Sequence, residues 1–137
     1  MTLMRRRKCK RERGAAAVEF ALILPLFLLL VLGTIDFGYY FFVSEVVTNA
    51  AREGARAGSV LDPTSPTTDV ITEAETRAQG YLSAAGLASA AVAVSTPVVN
   101  GVNSVQVDIQ YSVGSVTGFL SGIMPTYSNA RVVMRWQ

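Results

Sequence analysis

The chain of 137 residues has little of the chemistry on which most catalytic sites depend. It contains no histidine and a single cysteine, Cys9, and its only lysines are Lys8 and Lys10. Beyond Lys10 the sequence therefore excludes Ser–His, Cys–His and Ser–Lys nucleophilic sites, together with the usual zinc ligand sets. One cysteine also excludes an internal disulfide, so cysteine usage does not indicate the redox compartment.

Paired carboxylates are the remaining catalytic option, and the sequence does not favour them. Glu73 and Glu75 are two residues apart and do not share a helix face. No phosphate-binding loop or dinucleotide fingerprint is present. We interpret the following acids as solvated helix or loop positions: Asp36, Glu45, Glu53, Asp62, Asp69, Glu73, Glu75 and Asp108. We expect no enzymatic activity, cofactor, metal or small-molecule substrate.

Positive charge is scarce outside the start of the chain. Residues 1–14 hold seven basic residues against Glu12, a net charge of +6, and the rest of the chain carries −4. A basic arm that binds nucleic acid is one interpretation of such a block. We prefer another, because the block lies directly before an apolar run, where basic residues keep the flank of a membrane span in the cytoplasm.

The apolar run extends from Ala15 to Ile35 and is interrupted only by Glu19 and Thr34. Twenty-one helical residues measure about 31 Å, close to the hydrocarbon thickness of a bilayer. A chain this short has no second large apolar body to cover such a helix. A secretory signal fits poorly, since the run is too long and no clear cleavage site follows it. We predict one membrane span.

Glu19 is the unusual residue of this run. An acid in the hydrocarbon costs about 2.5–3.5 kcal/mol on insertion scales, so it usually marks a function. The alternative is that Glu19 lies at headgroup level, which holds if the helix begins near Ala15.

The start of the run resembles a type IV prepilin processing site: a basic leader, Gly14, four small or apolar residues, and then Glu19-Phe20. The string G-A-A-A-V-E-F-A-L-I-L-P-L-F-L-L-L, followed by G-T-I-D-F-G and N-A-A-R-E-G-A-R, is similar to the TadE-like family over about residues 13–58. Members of that family are minor pilins or pseudopilins of tight-adherence (Tad, Flp-type) pili. Major Flp-type pilins have a far smaller body, which points to a minor subunit or assembly factor.

The resemblance implies that a prepilin peptidase cuts between Gly14 and Ala15 and that Glu19 assists assembly. An ammonium on Ala15 and a carboxylate on Glu19 are both costly in hydrocarbon, and pairing lowers that cost, within one chain or between neighbours. Gly14 suits a cut site because it has no side chain to hinder the peptidase. Phe20 completes the motif.

The implied location is the inner membrane of a bacterium, with a single pass, the N-terminus in the cytoplasm and the head outside. The implied partners are the membrane, the prepilin peptidase, other pilin subunits and the pilus assembly machinery, with no nucleic acid. Two alternatives stay open: a type II secretion pseudopilin, and an uncleaved single-span protein whose head binds a ligand or partner.

We predict an α+β fold with three parts. Residues 1–14 form an unstructured leader that is cleaved, residues 15–58 form a long helix whose first half spans the membrane, and residues 59–137 form a small head. Pro25 lacks an N–H and should kink the helix. The alternative is that Pro25 ends a first helix.

Two surfaces of the long helix are candidates for packing. Aromatic residues, among them Tyr39 and Tyr40, gather where the span should leave the bilayer, and they suit either the membrane interface or a neighbouring subunit. Ala50, Gly54 and Gly58 form a small-residue stripe that permits close backbone approach. We expect the head itself to lie on this stripe, with a subunit contact as the alternative.

The head should contain one helix and about three antiparallel strands. Thr68 or Asp69 is the expected cap of a helix that ends near Ala85. Asn100-Gly101 predicts a type I′ hairpin. The expected strands are 91–99, broken by Pro97, 104–113 and 127–136, with one or two helical turns in 114–125. The sheet should bury one face on the long helix, on the second helix, or on both.

Overall fold

The computed structural model describes residues 6–62 and 64–136, and its elements confirm the predicted α+β class. The helices are α1 (Arg6–Ser59) and α2 (Thr67–Ala84). The strands are β1 (Ala91–Ser95), β2 (Val98–Val99), β3 (Val102–Ser112) and β4 (Tyr127–Arg135).

Helix α1 is continuous over 54 residues, a length of about 80 Å. It begins at Arg6, so the prediction of an unstructured leader is wrong for residues 6–14, while residues 1–5 lie outside the described part. The physical reason is that arginine, lysine and glutamate are good helix formers, and no proline separates them from the span. The helix also continues through Pro25, so the alternative that Pro25 ends a first helix is wrong. A kink at Pro25 stays a prediction.

Strand β3 is the centre of the antiparallel sheet. It pairs with β4 from Ser104 opposite Arg135 to Ser112 opposite Tyr127. Strands β1 and β2 both pair with its other edge, β1 near the end of β3 and β2 at its beginning. The predicted first strand is therefore two short strands separated at Pro97, a residue that cannot donate to a strand ladder.

The turn between β2 and β3 confirms the predicted hairpin. Asn100 has φ 52° and Gly101 has φ 78°, the two positive values that a type I′ turn requires. The turn places Val99 opposite Val102 and so fixes the register of the strand pair.

Helix α2 buries Val70, Ala74, Ala78 and Leu82, the face that its sequence spacing predicts. Tyr81, which the helical spacing also assigns to that face, is exposed. The predicted cap is wrong. Pro66 occupies the N-cap position, no side chain of the described residues caps it, and Thr68 and Asp69 already lie inside the first turn.

The core lies between the outer half of α1, α2 and one face of the sheet, so the sheet is buried against both helices. Its fully buried side chains include Val43, Val47, Ala51 and Ala55 of α1 and Val105 and Val107 of β3. The opposite face of β3 carries Gln106, Asp108 and Gln110, as the period-two alternation predicts.

The small-residue stripe of α1 faces the head, as expected. Ala50 is fully buried. A methyl group placed on Gly54 would lie 2.8 Å from the carbonyl oxygen of Ala74, and one on Gly58 would lie 3.1 Å from Cγ1 of Val105. These glycines let α1 approach α2 and β3 more closely than a side chain would allow.

Candidate membrane and assembly site

The first half of α1 is bare, which means that no described part of the head covers it. The large apolar side chains from Val18 to Leu30 are all exposed, among them Leu22 at 74% and Leu26 at 68%. By length and composition this is a helix that can cross a membrane, and none of its most apolar window is buried by the head. Such a surface is stable in hydrocarbon and not in water, which indicates a single-pass membrane protein.

The predicted processing residues lie together on this bare segment. Gly14, Ala15, Glu19 and Phe20 are all exposed on α1. Ala15 and Glu19 are four residues apart and therefore share one face of the helix. The Gly14–Ala15 peptide bond is helical, so the extended backbone that a peptidase needs requires local unwinding. Glycine has the lowest helix propensity after proline, which makes Gly14 a favourable place for that unwinding.

Asp36, the residue that follows the apolar run, is buried, with 1% of its surface exposed. Its Oδ2 accepts hydrogen bonds from Ser115 Oγ at 2.7 Å and Thr117 Oγ1 at 2.7 Å, and its Oδ1 accepts one from the Thr117 amide at 2.9 Å. Three donors around a buried carboxylate suit its ionised, acceptor-only form. Our interpretation of Asp36 as a solvated acid is therefore wrong.

The segment that holds Asp36, residues 114–126, is organised by the same hydroxyl groups; we call it the 114–126 loop. Ser115 Oγ accepts a hydrogen bond from the Gly118 amide at 2.8 Å, and Thr117 Oγ1 accepts one from the Phe119 amide at 3.3 Å. Gly118 supports this turn with φ 74°. The expected helical turn is present in reduced form, because the amides of residues 123 and 124 both donate to the carbonyl of Leu120.

Leu120 brings the loop back onto the apolar run. Its side chain is 9% exposed, and its Cδ1 lies 3.6 Å from the position of a methyl group placed on Gly33. The loop therefore contacts α1 at two points, Gly33 and Asp36, and fixes the base of the head at the outer end of the span.

The aromatic residues beyond the span divide between two surroundings. Tyr39 and Tyr40 are half-buried and pack against the core of the head. Phe37, Phe41 and Phe42 are exposed at 44%, 66% and 52%. The tyrosines thus contribute to the packing of the head, while the phenylalanines remain exposed and can contact lipid or a neighbouring subunit.

The outer face of the sheet carries the charged pair Asp108 and Arg131. Arg131 Nε donates to Asp108 Oδ1, and Gln106 Nε2 donates to Asp108 Oδ2 at 2.6 Å. The Arg131 guanidinium holds the pKa of Asp108 below its usual value, partial burial acts in the opposite direction, and the Gln106 hydrogen bond lowers the pKa further. Because the Arg131 side chain is 70% exposed, this is a surface ion pair.

The described part of the chain contains no group of three or more acidic, histidine or cysteine side chains placed to hold a metal ion. Three features distinguish the described part of the chain: the exposed apolar half of α1, the acid Glu19 on it, and the buried Asp36. Sequence patterns indicated the first two. They missed Asp36 because its partners lie 79 and 81 residues further along the chain.

A single-pass membrane protein with a small α+β head is the class that this fold defines. The model of the TadE-like protein family matches residues 14–56, which confirms the resemblance over that segment. The match covers α1 from Gly14 almost to its end and does not extend into the rest of the head. Comparisons with curated proteins and with solved structures gave no match.

Proposed function

We propose that the protein is a minor pilin or pseudopilin of a Tad (Flp-type) pilus, inserted in the inner membrane and cut by a prepilin peptidase between Gly14 and Ala15. One observation carries the proposal: α1 has a bare apolar half with Glu19 five residues after Gly14, and the TadE-like match covers that half. The other half of α1 belongs to the core of the head.

The distribution of charge supports an orientation with residues 1–14 in the cytoplasm and the head outside. The leader carries +6 directly before the span, and basic residues next to a span remain on the cytoplasmic side. The head then folds in the space where a pilus is assembled. Reporter fusions at Met1 and Gln137 test this orientation, and a cytoplasmic C-terminus would contradict it.

Cleavage creates the charged group through which the bare helix can pair with a neighbouring subunit. It creates an ammonium on Ala15, one helical turn from the Glu19 carboxylate. Either group alone is costly in a low-dielectric surrounding, whereas a pair formed between neighbouring subunits lowers the cost for both. Such a pair also fixes the axial position of one helix against the next, while the exposed leucines and Phe20 supply the apolar contact.

Processing is tested by N-terminal sequencing and intact mass of the protein from a strain with an active prepilin peptidase. We expect the wild type to lose Met1–Gly14 and Gly14→Val to remain uncut. Gly38→Val is the matched control, because Gly38 lies on the same helix with nothing within 4 Å of an added methyl group. A wild type that keeps its leader would contradict processing and favour an uncleaved single-span protein.

Pilus association is tested separately by shearing the fibres from cells and probing them for the protein. Presence in the sheared fraction supports a minor pilin. A cleaved protein that stays entirely in the membrane, in a strain that makes pili, would support a role in assembly only. A type II secretion pseudopilin is distinguished by loss of secretion, with intact pili, when the protein is removed.

A further inference from the structure

We propose that the 114–126 loop is a second membrane contact, in which Val116, Phe119 and Ile123 enter the headgroup region of the leaflet that α1 leaves. The partner is the phospholipid surface beside the span. This proposal requires α1 to be the membrane span, but it does not require cleavage or entry into a pilus.

The loop is attached to α1 at the end of the apolar run. Its hydroxyl groups hold Asp36, the residue after the apolar run, and Leu120 reaches back to Gly33 inside that run. Gly33 and Asp36 differ by about 4.5 Å along the helix axis. The loop is therefore fixed at the height of the last turn of the span and cannot lie far from the lipid surface.

The loop is uncharged and exposes large apolar side chains. Residues 114–126 contain no charged residue. Ile123 is 79% exposed, Val116 is 60% exposed and Phe119 is 54% exposed. Three large apolar side chains held outward by a short uncharged loop form a contact surface, and apolar and aromatic residues beside small polar ones suit the lipid interface.

The loop is continuous with the apolar surface of the span. An apolar groove runs along α1 beside the loop, lined by Leu29, Gly33, Phe37, Phe41 and Leu120 among others. Leu29 lies within the predicted span and Phe41 lies beyond it. The lipid-facing surface therefore continues from α1 onto the loop, and this is why we assign lipid rather than a second copy of the chain as the occupant.

The experiment places an environment-sensitive fluorophore on single cysteines of the full chain. Cys9→Ser removes the only native cysteine, and Phe119→Cys and Ile123→Cys introduce the reporting sites. The labelled proteins are reconstituted in vesicles of phosphatidylcholine and phosphatidylglycerol. Quenching by brominated lipid and by aqueous iodide is then measured for each site.

Val98→Cys is the matched control. Val98 is apolar and 67% exposed, but it lies in β2, which pairs with the first residues of β3. That end of the sheet is near Gly58, since Gly58 approaches Val105. Gly58 is 22 residues beyond Asp36 on α1, so the control site lies about 33 Å further from the membrane.

We expect brominated lipid to quench the labels at residues 119 and 123 several-fold more than the label at residue 98, with the opposite order for iodide. Equal quenching at all three sites would overturn the proposal. Protection from iodide that grows with the protein-to-lipid ratio, without quenching by brominated lipid, would assign the surface to a second copy of the chain and also overturn it.

Two measurements keep the result interpretable. Flotation with the vesicles checks that α1 is inserted in every variant. The emission of Trp136, the only tryptophan, checks that the head is folded. If a cysteine at residue 119 or 123 disturbs the loop, Val116→Cys provides the same test from a third exposed position, with the same expected and contrary outcomes.

Discussion

Asp36 and Thr117 are joined by two hydrogen bonds across 81 residues of sequence, one from the amide of Thr117 and one from its hydroxyl group. Each bond occupies a different oxygen of the carboxylate. The first residue after the apolar run is thereby attached to the segment between the last two strands. This attachment gives the head a fixed position relative to the span.

Removing the Asp36 carboxylate should weaken that attachment. In Asp36→Ala the half-buried hydroxyl and amide donors of Ser115 and Thr117 lose their acceptor. An unsatisfied donor costs about 1–3 kcal/mol when it is fully buried, so the lower end of that range, about 1 kcal/mol, applies here. We expect the free energy of unfolding of the full chain in detergent to fall by about that amount, measured by Trp136 fluorescence in a denaturant titration. Chymotrypsin should also cleave after Phe119 faster.

The control for this prediction is Glu45→Ala, the same kind of change at an exposed acid of α1. It should leave both the stability and the cleavage rate close to those of the wild type. Equal stability of the two variants would show that the hydrogen bonds to Asp36 contribute nothing to the fold.

Gly54→Ala should destabilise the head. The new methyl group would lie 2.8 Å from the carbonyl oxygen of Ala74 and 3.0 Å from Cβ of Ala78, so the backbone of α2 must move. Overpacking of this kind costs about 1–3 kcal/mol, more than the helix-propensity gain of about 1 kcal/mol. The free energy of unfolding, followed by Trp136 fluorescence, measures the loss.

Gly80→Ala is the matched substitution in α2, where a methyl group meets nothing within 4 Å. It should stabilise the chain by about 0.5–1 kcal/mol, because alanine is the better helix former. The prediction is thus a difference in sign between two identical substitutions. Stabilisation by both would refute the close packing of α1 on α2.

Glu19→Gln tests the proposed pairing with Ala15 of a neighbouring subunit. Removing one partner of a buried ion pair costs about 3–5 kcal/mol, which is a hundredfold or larger loss in the assembly equilibrium. Insertion should be retained, since the neutral side chain makes the span more apolar. The measurement compares the amount of protein in the membrane with the amount in sheared pili.

Glu45→Gln supplies the control for this assay, because it makes the same chemical change at an exposed position beyond the span. It should enter pili normally. Normal incorporation of Glu19→Gln into pili would contradict the pairing hypothesis. Loss of Glu19→Gln from the membrane would show that the substitution impairs insertion and not assembly.

Asp108→Asn should reduce stability slightly, and the effect should depend on pH. The Arg131 guanidinium lowers the pKa of Asp108 in the folded state, so the carboxylate contributes stability above its unfolded pKa of about 3.9 and loses it as the pH falls through the lower folded value. The contribution is below about 1 kcal/mol because the pair is at the surface.

The measurement is the difference in free energy of unfolding between the wild type and Asp108→Asn as a function of pH. It should be constant in the neutral range and shrink as the pH falls below about 4. High salt should also reduce it, as expected for exposed charges. A difference that persists undiminished under acid conditions would show that the carboxylate's charge is not its source.

Local pattern was sufficient for much of the head. The alternation around Val107, the spacing from Val70 to Leu82 and the Asn100-Gly101 pair each predicted the correct element, because the signal and the structure lie within a few residues of each other. The same holds for Gly54 and Gly58, whose spacing predicted close packing.

Contacts between distant segments were not predictable in this way. Nothing near Asp36 in sequence distinguishes it from a solvated acid, since Ser115 and Thr117 supply its surroundings. The sequence alone does not place the exposed apolar residues of the 114–126 loop beside the span, because their position depends on that attachment. Glu19 lies on an exposed helix face. Its proposed partner belongs to a neighbouring subunit, so the fold of a single chain does not contain that contact.

The packing of β4 on α1 has a consequence for biogenesis. Val47 belongs to the first helix and Met134 to the last strand, yet both contribute to one core. During synthesis the outer half of α1 is made roughly 80 residues before β4, which at about 5–20 residues per second is about 4–16 seconds. Throughout that interval the apolar side of α1 around Val47 has no sheet to cover it. The head can close only after the C-terminal strand has arrived, so a ribosome that stalls before β4 leaves an anchored chain with an open core.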